Sequence, residues 1–348
     1  MSHACFAIPG DLSAATGGYA YDRQVMAECA ALDFTLTHCP LPRGYPDPSA
    51  TERQQTAQLL AALPRGLPLL IDGLAFGAFD SATINAIHSP LVALVHHPLA
   101  YETGLSQPRR ASLLTSERLA LACARRVIAV SRATATLLAQ HYGVPDSKIV
   151  IAEPGVARAA RARGSSDHRL SLLAVGAISP RKAYPLLIEA LARLPLQHWR
   201  LTIVGPVVDE SEAQKIEAIV RHHHLGVRVQ LAGQIDAEAL ATCYDEADLF
   251  VMSSLFEGYG MVITEALARG LPIVSTTGGA LESTVPDDAS LKVPPGDVAA
   301  FADALHRLMV DRQLRTAKAE AAWQRASDLP SWAQCATMIV NVLKGVAR

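Results

Sequence analysis

The 348-residue sequence is short of net charge, of long apolar runs and of clustered cysteine, and each shortage removes a class of function. Thirty-one lysines and arginines against 33 acidic residues leave a formal net charge of −2, too weak a field to gather nucleic acid. Polar residues interrupt the apolar runs well before the roughly eighteen residues a bilayer span needs, as Asp72 interrupts LPLLIDGLAF (67–76). MSHACFAIPG meets Asp11 too soon to read as a secretory leader, so a cytoplasmic chain is expected, with the inner membrane face as the alternative. The six cysteines (5, 29, 39, 123, 243, 335) form no C-x-x-C pair and read as reduced core thiols rather than zinc ligands or disulfides. His222, His223 and His224 would point in different directions on a helix, which suits a solvated helix end better than a metal tract. No G-x-G-x-x-G opens a helix after the first strand, which disfavours a dinucleotide oxidoreductase.

What is present is apolar and alternating. Half of the residues are hydrophobic and the chain exceeds the usual size of one core, so two domains are expected. Apolar strands near 3–10, 34–41, 67–76, 91–98, 126–134 and 148–156 alternate with helix-like stretches near 18–32, 51–62, 80–88, 111–124 and 133–142. Such alternation implies a parallel sheet covered on both faces. Ser131 is placed to cap the last of those helices. The stretch 156–169, VARAARARGSSDHR, is polar and basic and marks a boundary, its arginines solvating a linker. Strands resume at 170–178, 199–206, 227–235, 248–254, 271–279 and 290–297, followed by helices over 299–314 and 331–346. The expected fold is α/β with two Rossmann-like doubly wound parallel-sheet domains, 1–160 and 161–328, and a C-terminal helical segment, 329–348.

The run SSLFEGYGMVITEALARGLPIVSTTGG (253–279) concentrates the chemistry. LFVMSS (249–254) suits a buried strand, Gly258 and Gly260 permit a tight turn, and MVITEALARG (261–270) has a helical composition ended by Gly270. Amide groups from Gly260 to Ile263 would then be unpaired donors at a helix N-terminus, beyond the carboxyl end of a strand, where phosphate binds. Glu265, about a turn inside, can accept two hydrogen bonds from a ribose diol, and Glu257 in the turn is free to accept from sugar hydroxyls. AVGAISPRKAYPLLIEAL (174–191) repeats the strand, glycine and helix and places Arg181 and Lys182 where a diphosphate would arrive.

E-G-Y-G-M-V-I-T-E-A-L-A-R-G-L-P-I-V (257–274) resembles the signature of the retaining glycosyltransferases of family 4, Glu, seven residues, then Glu within E-G-F-G-x-x-x-x-E-A-x-A-x-G-x-P-V. Tyr259 and Ile273 are its only departures. The resemblance implies the GT-B fold, two domains facing a central cleft, with the C-terminal helix crossing back to the first. It implies that Glu257 orients the donor sugar, that Glu265 grips the nucleotide ribose, and that Gly258, Tyr259, Gly260, Met261 and Val262 line the donor site with Gly205, Gly233 and Ile235. Many members carry arginine directly after the strand glycine; here that position is Ala177, and Arg181 is the substitute.

Gly17 and Gly18 resemble the family's glycine pair that approaches the donor phosphate. H-P-L in LVALVHHPLAYETG (91–104) resembles the segment facing the anomeric centre, which favours His97 over His96 as the catalytic histidine. His96, Tyr101 and Glu102 then fall on the acceptor side. The implied activity is retaining hexosyl transfer from a nucleotide diphosphate sugar, UDP-linked by family frequency, to a small-molecule, glycan or lipid acceptor. No Asp-x-Asp occurs, so no divalent ion and no cofactor are expected. An epimerase of the same plan and a non-catalytic sugar-nucleotide-binding protein are the alternatives. Arginines 109, 110, 118, 125 and 126 around 111–124 raise peripheral membrane contact, although packing of that helix on the sheet is favoured.

Overall fold

The computed structural model describes residues 2–347, which form two α/β units, residues 2–155 with 330–347, and Val156–Leu329. In the first, β1 (His3–Pro9), β2 (Thr35–Leu41), β3 (Leu69–Asp72), β4 (Leu91–Val95), β5 (Arg126–Ala129) and β6 (Ile149–Ile151) make one parallel sheet in the order β2-β1-β3-β4-β5-β6. The strands LLID and LVALV are buried along their whole length, as expected of central strands covered by helices on both faces. Strand order reverses between β1 and β3, so the loops after those strands part and leave a crevice at their carboxyl ends.

The second unit repeats the plan with β7 (Leu170–Val175), β8 (Trp199–Val204), β9 (Val229–Gly233), β10 (Leu249–Met252), β11 (Ile273–Thr276) and β12 (Ser290–Val293), ordered β12-β11-β10-β7-β8-β9. Its reversal lies between β7 and β10. Trp199, Leu201, Ile203, Phe301, Leu305 and Leu308 fill one face of this sheet. The stretch expected as a solvated linker is instead strapped to the second unit: Ala162 N–H donates to the Arg269 carbonyl (2.9 Å), and Arg161 pairs with Glu320 (2.9 Å).

Two elements differ from expectation for one physical reason, an aspartate acting as a cap. The strand expected over 67–76 stops at Asp72, whose carboxylate accepts from Leu74 N–H (2.7 Å) and starts a helical turn, Gly73–Phe76. The helix expected over 299–314 breaks at Asp311, which ends Val298–Val310 and caps Arg312–Arg325. Ser131 caps Arg132–Tyr142 as read, accepting from Thr134 N–H at 3.0 Å. The helix Trp332–Val346 opens with a Ser331–Gln334 capping box and buries Cys335, Ile339, Val340 and Leu343. It packs on Gly17–Ala31 of the first unit, with the Trp332 and Tyr21 rings 5.6 Å apart. Among the described residues, no helix is long and apolar enough to cross a membrane.

Candidate active site

The loops after β7 and β10 meet at the switch point of the second unit. After β7 the chain passes through the short turn Pro180–Lys182 into the helix Tyr184–Ala192. Backbone bonds stitch the two loops: Leu255 N–H donates to the Arg181 carbonyl and Ser253 Oγ to the Lys182 carbonyl, both at 2.8 Å. Side chains complete the seam. Lys182 Nζ donates to Glu257 Oε1 and Arg181 Nη1 to Glu257 Oε2, each at 2.8 Å, and Arg181 also reaches the Phe256 carbonyl at 2.9 Å.

Glu257 is buried, and burial alone would push its carboxyl up, yet the opposing fields of Arg181 and then Lys182 hold it down at about 2. Two cations thus converge on one carboxylate at the turn where a diphosphate was expected to arrive. Glu257, expected from the sequence to be free, is therefore engaged at both oxygens by Lys182 and Arg181, with the Ser254 hydroxyl as a further partner.

The helix Met261–Leu267 starts from Gly260, whose φ of +89° strains any other residue, and a Cβ there would also have to displace the Leu281 Cδ2 methyl 2.9 Å away. Gly258 and Tyr259 are buried in the turn before it, and Met261 and Val262 are half-buried in its first turn. One expected donor is lost, because Ile263 N–H is spent on the Gly260 carbonyl (2.8 Å). Glu265 faces inward and accepts from the Tyr244 hydroxyl at 2.7 Å. Burial raises its carboxyl, opposed by that hydrogen bond and by Arg269. Gly205 and Gly233 lie at the ends of β8 and β9, joined by Gly205 N–H to the Gly233 carbonyl (2.9 Å). A side chain at 205 would meet the Gly176 carbonyl oxygen at 2.2 Å, so the backbone approach requires glycine. Ile235 follows β9, half-buried.

In the first unit, Gly17 and Gly18 are the opening residues of their helix, capped by Thr16. β4 delivers His96 and His97 at its carboxyl end. His96 lies against Gly18 and directs Nε2 at Asp22 Oδ1 (3.0 Å) and, farther off, Asp72 Oδ2 (4.0 Å). Burial lowers the His96 proton affinity, but Asp22 and Asp72 outweigh it and the net shift is upward. Burial and the neighbouring Asp22 carboxylate raise Asp72 to about 7. Among the described residues these three form the group with metal-ligand chemistry, its ligand atoms within 4.8 Å of one another, and it can also balance its charge with protons. His97 Nε2 stands 3.7 Å from Glu102 Oε2, and Tyr101 packs on His141 and Tyr142.

Glu117 holds the loop that carries these residues. It accepts from Leu99 N–H (2.6 Å), Ala100 N–H (3.1 Å) and the Tyr142 hydroxyl (2.8 Å). Sequence reasoning missed Glu117, Asp22 and Tyr244, although helical spacing carried a signal for the two acids. Leu113, Leu114, Ala120 and Leu121 stand three and four residues from Glu117, so its face is the buried one, and Val25 and Met26 do the same for Asp22. The basic helix weighed for membranes, Gln107–Cys123, buries Leu113, Ala120 and Leu121, and its Arg118 is spent on the His141 carbonyl.

Two Rossmann-like lobes, one with paired cations and acids at its switch point, define the GT-B architecture of glycosyltransferases. The family model Glycosyltransferase Family 4 matches residues 35–159 and Glycosyl transferases group 1 matches residues 158–325. Similar curated proteins are named D-inositol 3-phosphate glycosyltransferase. That of Geodermatophilus obscurus is 31% identical over 277 residues, covering 72% of this chain and 61% of the relative. That of Kineococcus radiotolerans is 31% identical over 294 residues, covering 76% and 66%. The chain spans about half to two thirds of the length of such relatives.

Among solved structures, sucrose-phosphate synthase from Thermosynechococcus elongatus aligns with a TM-score of 0.78 at 21% identity over 98% of both chains. Anabaena HepE in complex with UDP and glucose aligns at 0.76 and 18% identity over 97% of this chain and 99% of its own. The chain belongs to glycosyltransferase family 4.

Proposed function

We propose that this protein transfers a hexosyl unit from a nucleotide diphosphate sugar, UDP-linked for preference, to a hydroxyl of an acceptor bound mainly by the first unit. The transfer proceeds with retention of anomeric configuration and without a divalent ion. The observation that carries this reading is the convergence of Arg181 and Lys182 on Glu257 at 2.8 Å each, at the switch point of the second sheet. In the reaction the bond between the anomeric carbon and the terminal phosphate oxygen breaks, and its electron pair leaves on the nucleoside diphosphate. Arg181 and Lys182 are already in place to receive that charge. The acceptor oxygen forms the new bond to the anomeric carbon and gives up its proton to the departing diphosphate oxygen. Glu257 orients the donor sugar by accepting from its hydroxyls, and His97, ahead of His96, is the candidate catalytic histidine of the first unit.

UDP-glucose is the first donor to test, since a neighbour of the same fold was solved with UDP and glucose. An inositol phosphate is the first acceptor, from the names of the relatives. The purified chain is incubated with UDP-, GDP- and ADP-sugars in EDTA, and nucleotide release is followed with and without acceptor. Acceptor-stimulated release and an α-linked product by NMR support the reading. Conversion of the sugar alone would make it an epimerase, and binding without turnover a sensor.

A further inference from the structure

Tyr244 lies near the end of the helix Ala237–Asp245, 1% exposed, its ring stacked on Phe250 of β10 with 6.0 Å between centroids and 13° between planes. The Arg269 guanidinium carbon stands 4.4 Å from the centroid of the same ring, and its Nη1 donates to the Glu265 carbonyl at 3.0 Å. Held in this way, the phenol has one hydrogen-bond donor, and it spends it on Glu265 Oε2 at 2.7 Å. No sequence motif links the two residues, which stand on separate helices 21 positions apart.

We propose that Tyr244 is the positioning residue that makes Glu265 a reader of ribose: by occupying Oε2 it leaves Oε1 to accept from a vicinal diol, so the second unit selects ribonucleoside over 2′-deoxyribonucleoside diphosphates. The inference rests on the nucleotide-sugar reading of this site. A carboxylate oxygen has two lone pairs, enough for a 2′- and a 3′-hydroxyl, and an unanchored carboxylate would present either oxygen in turn. With Oε2 tied, the acceptor direction is set before the nucleotide arrives. A pocket built to meet a hydroxyl rejects the analogue that lacks it, because a half-buried acceptor is then left unpaired.

The test is calorimetric binding of UDP against 2′-deoxy-UDP, with the GDP and ADP pairs run in parallel. The wild-type chain is expected to prefer the ribonucleotide about tenfold or more, the scale of one hydrogen bond to a charged group. Tyr244→Phe keeps the ring and removes the hydroxyl. It is expected to weaken ribonucleotide binding about tenfold and to change deoxynucleotide binding little, so that the ratio collapses. Glu265→Asp draws the carboxylate out of reach of the phenol and should collapse the ratio too, which keeps the test available if Tyr244→Phe unfolds. A wild-type ratio retained in either folded variant overturns the role of Tyr244. Failure of the wild-type chain to bind any of the three ribonucleotides overturns the nucleotide-sugar reading itself.

Discussion

At position 257 a carboxylate is buried between two cations, and its proton affinity is the most readable consequence. Glu257 is held at about 2, below the ordinary carboxyl value of 4.5, so the folded state stabilises the ionised form. A depressed carboxyl contributes stability that is present above the unfolded value and lost as pH falls through 4.5 towards 2. Its size is on the order of 3 kcal/mol. Glu257→Gln should therefore be less stable than wild type by about that much near neutrality in urea unfolding, and the gap should narrow steadily towards pH 3. A gap that stays constant with pH would refute the pairing. Lys182→Met removes one of the two preorganised cations and is expected to slow nucleotide release about 100-fold or more while leaving the melting temperature within a few degrees. The charged residue types were legible in the sequence, in the spacing of Glu257 and Glu265 and in the Arg181–Lys182 pair. Their mutual pairing was not, because Lys182 and Glu257 are 75 positions apart and no local pattern connects them.

Elements position these residues through their ends. Gly260 begins the helix that carries Glu265 with a positive φ, and a Cβ there must push the Leu281 side chain aside, so Gly260→Ala should cost about 1–3 kcal/mol, read as a lower urea midpoint at unchanged slope. In the first unit, Glu117 closes the turn Leu99–Tyr101 from a neighbouring helix. Glu117→Ala strands two buried amides and the Tyr142 hydroxyl and is expected to cost about 3 kcal/mol or more, whereas Glu117→Gln keeps one acceptor oxygen and should recover part of it. Equal stability of the two variants would show that the hydrogen bonds contribute nothing there. Strand positions were legible because covered parallel strands are unbroken apolar runs. Element ends were less so: Asp72 and Asp311 stand in apolar or helical company, and only the hydrogen bonds they accept turn them into caps.

Across the whole molecule the first unit is completed by the end of the chain. The helix Trp332–Val346 covers Tyr21 on Gly17–Ala31, and Arg125 Nη1 donates to the Val346 carbonyl at 3.0 Å. Removing 330–348 exposes the apolar faces of both partners. The truncated chain should lose the first unit's melting transition while residues 156–329 persist as a protease-resistant fragment. Two intact transitions after truncation would contradict this assignment of the last helix. Alternation of strand and helix announced two doubly wound units, but the unit to which a C-terminal helix belongs depends on which apolar face it meets. Part of that face, around Tyr21, comes from residues more than three hundred positions away.

By itself the sequence determined the α/β class, the two sheets and the glycine-bounded turns that open the site helices, because periodicity and glycine requirements are local. It also determined the family, because the spacing from Glu257 to Glu265 is carried within one turn and helix. The tertiary structure alone decided that Glu257 is engaged by Arg181 and Lys182, that Tyr244 holds Glu265, and that Asp22, Asp72 and His96 share a buried corner. Those are contacts between side chains on separate elements, and burial, which sets their charge states, exists only once the sheets have formed.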